Sequence, residues 1–185
     1  MYRLFVAIEL PEQQKQLLRE ICYGLPGAKW LDENQMHLTL RFIGEVDGAA
    51  FRDAREALST VSVEPFEVAI KGVGHFPPRG APQMLWAGIA DNGDLTHLRN
   101  KVESTLVRHG FDPERRKFKA HVGLAKVKDT SPAKLATFLR EYALFRLPTF
   151  AVTEFCLFSS YLASERAIHQ IEEVYQLKSD RSELV

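Results

Sequence analysis

Apolar positions along the chain follow two periods, about two and about 3.6 residues, and the chain switches between them several times. RLFVAIEL (3–10) is a compact β-rich run and predicts a buried strand. Pro11 then opens a helix with Leu17, Leu18 and Ile21 at helical spacing and Gly24 near its end. MHLTLRFIG (36–44) alternates and predicts a strand. Asp47 is placed to cap a second helix, with Phe51, Ala54, Leu58 and Val61 on one face. PFEVAIKGV (65–73) and QMLWAGIAD (83–91) predict strands separated by the loop GHFPPRGAP. A helix is expected over 94–109, a strand over KAHVGLAKV (119–127), and a helix from Ser131-Pro132 to about 143. TFAVTEFCLFSS and RAIHQIEEVYQL predict a hairpin turning at 161–165, followed by the frayed tail KSDRSELV.

These elements repeat. His37 and His121 are 84 residues apart, as are the caps Asp47 and Ser131 and the strand residues Phe66 and Phe150. RLFVAI and MLWAGI align at an offset of 81. Each half therefore reads strand, helix, strand with histidine, helix, strand. The expected fold is α+β: one bilobal domain over 1–185, with halves 1–80 and 81–178 and a tail at 179–185. Its two pseudo-symmetric lobes would each carry an antiparallel-rich sheet covered by two helices, with a cleft between them. A single open α/β sheet is the weaker alternative, because no Gly-rich phosphate loop follows the first strand.

Alternation then assigns chemistry. In the first motif Leu38, Leu40 and Phe42 share one face of the strand; His37, Thr39 and Arg41 share the other. An imidazole, a hydroxyl and a guanidinium in a row suit an oxyanion such as phosphate. In the second motif His121, Val122, Gly123 and Leu124 repeat the pattern with glycine in place of threonine. Two histidines flanking one phosphorus can act as general acid and general base near neutral pH. A metal site is the competing reading, but two histidines are too few ligands and no Asp, Glu or Cys stands at matching spacing. His75, His97, His109 and His169 have no such context and read as structural or solvent-facing.

Composition narrows the classes. With 45% hydrophobic and 26% charged residues the chain is an ordinary globular protein, and its zero net charge gives no global field toward nucleic acid. Cys22 and Cys156 lack CxxC spacing, which argues against a zinc site or disulfide framework and suits a reducing cytosol. No run of 18 apolar residues exists, and Glu9 comes too early for a secretory leader. A cytoplasmic monomer away from membranes is expected.

LFVAIELP, HLTLRFIGEV, LWAGI, HVGLAKV and the closing FCLFSS together resemble the two-histidine phosphoesterases, specifically the bacterial and archaeal RNA 2′,3′-cyclic phosphodiesterases, also called 2′–5′ RNA ligases. The resemblance implies a bilobal fold, no cofactor, and opening of 2′,3′-cyclic RNA ends to 2′-phosphate. Some members also join tRNA halves through a reversible 2′–5′ linkage without ATP. It further implies His37 as proton donor, His121 as proton acceptor and Thr39 on a non-bridging phosphate oxygen. The family usually carries Thr or Ser at the position of Gly123 and often Arg at that of Lys126. A hydroxyl to a charged oxygen is worth about 1.5–3 kcal/mol. Backbone N–H of Gly123, a water or Lys126 would have to supply that half of the cradle. Strict alternation puts Lys126 opposite His121, so it reaches the site only through a bulge or from the strand's end.

For the RNA itself, Arg115, Arg116, Lys117, Lys119, Lys126 and Lys128, with Arg41 and Arg79, form either a solvated loop or a phosphate-tracking rim. Phe76, Phe158 and Tyr161 are candidate stacking rings; Phe5, Phe42 and Trp86 are assigned to the core. Phosphodiesterase action on small cyclic or 2′–5′-linked nucleotides, or mere binding of nucleotides or RNA ends, are the rival functions.

Overall fold

A computed structural model describes residues 1–178; the expected tail, 179–185, lies outside the described residues. The chain forms β1 (Tyr2–Glu9), α1 (Glu12–Arg19), β2 (Ala28–Trp30), β3 (His37–Val46), α2 (Gly48–Leu58), β4 (Phe66–Val68), β5 (Ile70–Phe76) and β6 (Met84–Ile89). It continues with α3 (Gly93–Arg108), β7 (His121–Val127), α4 (Pro132–Glu141), β8 (Phe150–Val152), β9 (Glu154–Ala163) and β10 (Arg166–Gln176). The class is α+β, and every strand pair among the described residues is antiparallel.

Local chemistry sets the helix starts. Asp47 accepts the Ala50 N–H at 2.8 Å and Ser131 accepts the Lys134 N–H at 3.5 Å. Pro132 sits in the first turn of α4, where its missing N–H costs nothing. Strand limits moved more. The run 65–73 breaks into β4 and β5, and β5 continues through Gly74 and His75 to Phe76, inside the expected loop. The His75 Nδ1 lies 2.8 Å from the Pro77 carbonyl, so this ring closes the turn. β2 has no clear sequence signal; it exists because it pairs with β7.

The main sheet has the order β10-β9-β1-β3-β7-β6-β5, with β2 beside β7. It runs without a break across both halves of the sequence. β5, from the first half, pairs with β6, whereas β9, from the second, pairs with β1. A separate two-stranded ladder, β4 with β8, pairs Phe66 with Val152 and Val68 with Phe150. The two strands of that ladder are each other's copies at the 84-residue offset, which is the mark of a pseudo-two-fold. The same axis passes between Leu38 and Val122, which pair with each other across β3 and β7.

One large core lies between sheet and helices. Leu38, Leu40, Val122 and Leu124 meet Leu18, Leu58, Leu98 and Leu135 there. A second, small cluster of Phe5, Ala7, Cys156 and Phe158 is separate from it. No helix among the described residues is long and apolar enough to cross a membrane.

Candidate functional site

The two histidine strands lie side by side in the middle of the sheet, joined through Leu38 and Val122. Both carry a β-bulge at the same motif position. Along β3, Ala7 pairs with Thr39 and Val6 with Arg41, leaving Leu40 unpaired. Along β7, Trp86 pairs with Gly123 and Leu85 with Ala125, leaving Leu124 unpaired. A bulge inserts one residue and reverses the alternation beyond it. The burial patterns of HLTLRF and HVGLAK are accordingly identical: half-buried, buried, half-buried, buried, buried, exposed.

The bulges correct the predicted faces. Arg41 does not align with His37 and Thr39; it turns inward and is 5% exposed. Its three guanidinium nitrogens donate to Glu103 of α3, to the Phe42 carbonyl and to the Asp112 carbonyl. Phe42, assigned to the core, instead turns outward and is 51% exposed. Lys126 turns to the exposed side for the same reason, but it does not line the cleft described below. The bulge that its expected role required is present.

The ladders also revise one repeat offset. Ala7 is to Thr39 as Trp86 is to Gly123, so β1 and β6 superpose at 79 residues, two fewer than the aligned sequences suggest.

His121 is fixed by its own strand. Its Nδ1 lies 2.6 Å from the Lys119 carbonyl, an arrangement that places a proton on Nδ1 and leaves Nε2 free. Phe76 meets its ring edge-on at 4.9 Å and Trp86 lies 6.3 Å away. Lys119 Nζ sits 4.8 Å over the Trp86 ring. Trp86 in turn packs on Gly74, where a Cβ would come within 2.4 Å of the indole, so only glycine fits. Burial is the main cause that lowers the His121 pKa; the Lys119 carbonyl opposes it.

His37 is more enclosed. Phe5 and Phe158 stack near its ring at 5.1 and 5.2 Å. His169, from β10, packs edge-on at 5.1 Å. Burial, then His169 and Lys15, push the His37 pKa down to about 3. His169 carries no role in the sequence-based expectations, because its partner stands 132 residues earlier in the chain. Its only local signal is alternation with Ala167 and Ile171 on one strand face.

Thr39 and His121 open onto a cleft of about 720 Å³. Phe42, Phe76, Met84 and Phe118 give it apolar walls, and Arg99, Arg116, Lys117 and Lys119 a basic edge. Arg116 lies 5.8 Å over the Phe42 ring and is held by Glu114 at 3.3 Å. Phe158 is 4% exposed, buried beneath His37 and so unavailable for stacking. Arg79, Arg115 and Tyr161 are exposed but do not line the cleft.

Gly123 has no positive φ, so its backbone does not require glycine. Its side is filled instead: a Cβ there would stand 3.1 Å from Leu31 Cδ1 and 3.9 Å from Met84 Sδ. Among the described residues no three His, Cys, Asp or Glu side chains converge as a metal cage.

A duplicated α+β fold with one histidine strand from each half defines a two-histidine phosphoesterase. The chain belongs to the LigT-like phosphoesterase family, whose pattern it matches over residues 8–86 and 88–169. It is 34% identical to the RNA 2′,3′-cyclic phosphodiesterase of Archaeoglobus fulgidus over 178 residues, covering 94% of this chain and 99% of the relative. The enzyme of that name from Thermotoga maritima is 31% identical, with 91% and 92% covered. Among solved structures, E. coli LigT complexed with 3′-AMP superposes with a TM-score of 0.76 at 23% identity, covering 96% and 99%. A protein of Thermus thermophilus gives 0.78 at 24%, with the same coverage. These two likenesses concern the fold.

Proposed function

We propose that this chain opens the 2′,3′-cyclic phosphate at the end of an RNA and leaves a 2′-phosphate, using its two imidazoles as a general acid and base. The observation that carries this reading is the pairing of equivalent histidine strands about the axis between Leu38 and Val122. Relatives bearing the name RNA 2′,3′-cyclic phosphodiesterase support the substrate class.

In this mechanism the free Nε2 of neutral His121 takes a proton from water, which attacks phosphorus. The Lys119 carbonyl supports that role, because it holds the tautomer that leaves Nε2 unprotonated. His37 gives its proton to the departing O3′. Its surroundings keep the resting ring neutral, so the anionic phosphate must draw the proton in when it binds. Thr39 donates to a non-bridging oxygen. Gly123 offers backbone only, with Leu31 and Met84 beside it, and Lys126 contributes charge from outside the cleft. Ligation would be the same attack with an RNA 5′-hydroxyl in place of water.

Phe42 and Phe76 supply faces for the terminal base, and Arg116, Lys117 and Lys119 a path for the strand. A second reading, action on small cyclic or 2′–5′-linked nucleotides, is favoured by the cleft volume of about 720 Å³, which suits a single nucleotide. The test is incubation with 2′,3′-cyclic-ended RNA in EDTA, alongside the mononucleotide as competitor. The reading expects 2′-phosphate ends that disappear in His37→Ala and His121→Ala. Turnover that survives either change would overturn it.

A further inference from the structure

His37 and His121 are held differently. The Lys119 carbonyl fixes one ring nitrogen of His121 at 2.6 Å. No protein group among the described residues forms a hydrogen bond to either nitrogen of His37. Its ring is walled by Phe5 and Phe158, whose own rings stack at 5.0 Å and 3°. The polar ring that meets it is His169, which packs edge-on against both His37 and Phe5 at 5.1 Å. His169 Nδ1 is buried without a hydrogen-bond partner, an arrangement that costs free energy unless another state satisfies it. His169 also lines a recess of about 330 Å³ together with Glu9, Asp32, Gln35 and Arg166. This recess is distinct from the cleft onto which Thr39 and His121 open.

We propose that His169 is a positioning residue for His37, fixing its ring plane through the edge-on contact and relaying a proton to it through water from the recess beside Arg166 as substrate binds. The inference rests on the acid role proposed for His37. Each hydrolysis moves the His37 proton to O3′ and leaves a water proton on His121. His121 returns its proton to solvent, whereas His37, neutral at rest, takes up another as the next substrate binds. In that step a water between the two rings gives a proton to His37 and takes the one on His169, and His169 then regains a proton from water in the recess. The charged groups around the pair are Lys15 of α1, paired with Glu9 at 3.2 Å, and Arg166, paired with Asp32 at 2.8 Å. The broken symmetry of the sheet fits this role: β10 adds a full strand beside β9, whereas β5, the counterpart of β9, carries besides β6 only the isolated bridge of Lys71 to Arg146 among the described residues.

The test compares the full chain with His169→Phe, which keeps a ring in place, and His169→Gln, which keeps a polar group. With cyclic-ended RNA, kcat should fall roughly tenfold or more in His169→Phe while KM changes little. Added imidazole should restore part of that kcat by entering the recess, and the pH profile should shift. In parallel, the His37 ring proton is followed by NMR across pH without substrate. Its midpoint should rise in His169→Phe, since a neighbouring cation is removed. Unchanged kcat with an unchanged pH profile, or a fall in kcat that imidazole leaves untouched with the His37 titration unmoved, overturns the proposal. If the parent chain opens no cyclic end, the proposed reaction fails, and the NMR comparison still decides whether His169 governs His37.

Discussion

Leu38 and Val122 pair directly across β3 and β7, and each is the residue after the histidine of its own half. The pseudo-two-fold therefore passes between them. The strands run antiparallel, so Thr39 lies toward His121 and Gly123 toward His37. Each copy of the duplicated unit supplies one of the two histidine strands. Both apolar side chains point into the core shared with the helices, which fixes the register: a slip by one residue would bury both histidines.

If the two imidazoles act as one unit, their removal should not be additive. His37→Ala and His121→Ala are each expected to lower kcat about 10²- to 10⁴-fold on cyclic-ended RNA. The double variant should lose little more than the worse single one. Single-turnover rates measure this, and multiplicative losses would indicate independent roles.

Arg41 should matter for folding and not for substrate. Its guanidinium is buried and its nitrogens all serve Glu103 and two backbone carbonyls. Arg41→Ala leaves Glu103, whose side chain is 16% exposed, without this partner. Breaking a buried pair costs about 3–5 kcal/mol. Denaturant unfolding should show a loss of that order, while KM for the folded fraction stays unchanged.

The duplication was legible because it is written in caps and periodicity. Asp47, Ser131 and the two histidine strands sit where the 84-residue offset put them, and both caps form. The faces beyond the motifs were not legible. A bulge depends on the strand paired alongside, here β1 for Leu40 and β6 for Leu124, and no local pattern in HLTLRF announces it. That one inserted residue exchanged the fates of Arg41 and Phe42. His169 escaped notice for a related reason: what gives it meaning is a neighbour brought near by the β10-β9-β1-β3 order.

Phe42 is then a better candidate base platform than Phe158. Stacking of a base on an exposed ring is worth about 1–3 kcal/mol. Phe42→Ala should raise KM for cyclic-ended RNA by roughly 5- to 150-fold with a smaller change in kcat. Phe158→Ala should act differently, lowering stability and kcat by loosening His37. Steady-state kinetics with thermal melts separates the two patterns.

Gly123 makes a sharper test than a simple restoration of threonine. A Cβ would meet Leu31 Cδ1 at 3.1 Å, the end of a flexible side chain. Gly123→Thr alone is therefore expected to give little gain and a loss of stability of about 1 kcal/mol. Combined with Leu31→Ala it should gain rate up to about tenfold, because the hydroxyl then has room beside the phosphate. A double-mutant cycle on kcat/KM reads the coupling between the two positions. Zero coupling would show that Leu31 does not shape this half of the site.

Acid should destabilise the fold, with His37 contributing strongly. Its pKa falls from 6.5 in the unfolded chain to about 3 in the folded one. Above 6.5 the ring is neutral in both states and pH has no effect through it. Below 6.5 the unfolded chain binds a proton that the folded chain refuses, so stability falls by up to about 1.4 kcal/mol per pH unit until the folded ring itself titrates near 3. Phosphate in the site reverses the sign of the local charge and should draw that proton in. Calorimetry of inorganic phosphate or 3′-AMP binding at pH 7, repeated in buffers of different ionisation enthalpy, should report proton uptake. His37→Phe should abolish part of that uptake and flatten the loss of stability in acid. Binding without proton uptake in the parent chain would remove His37 from the acid role and leave its partner to account for both transfers.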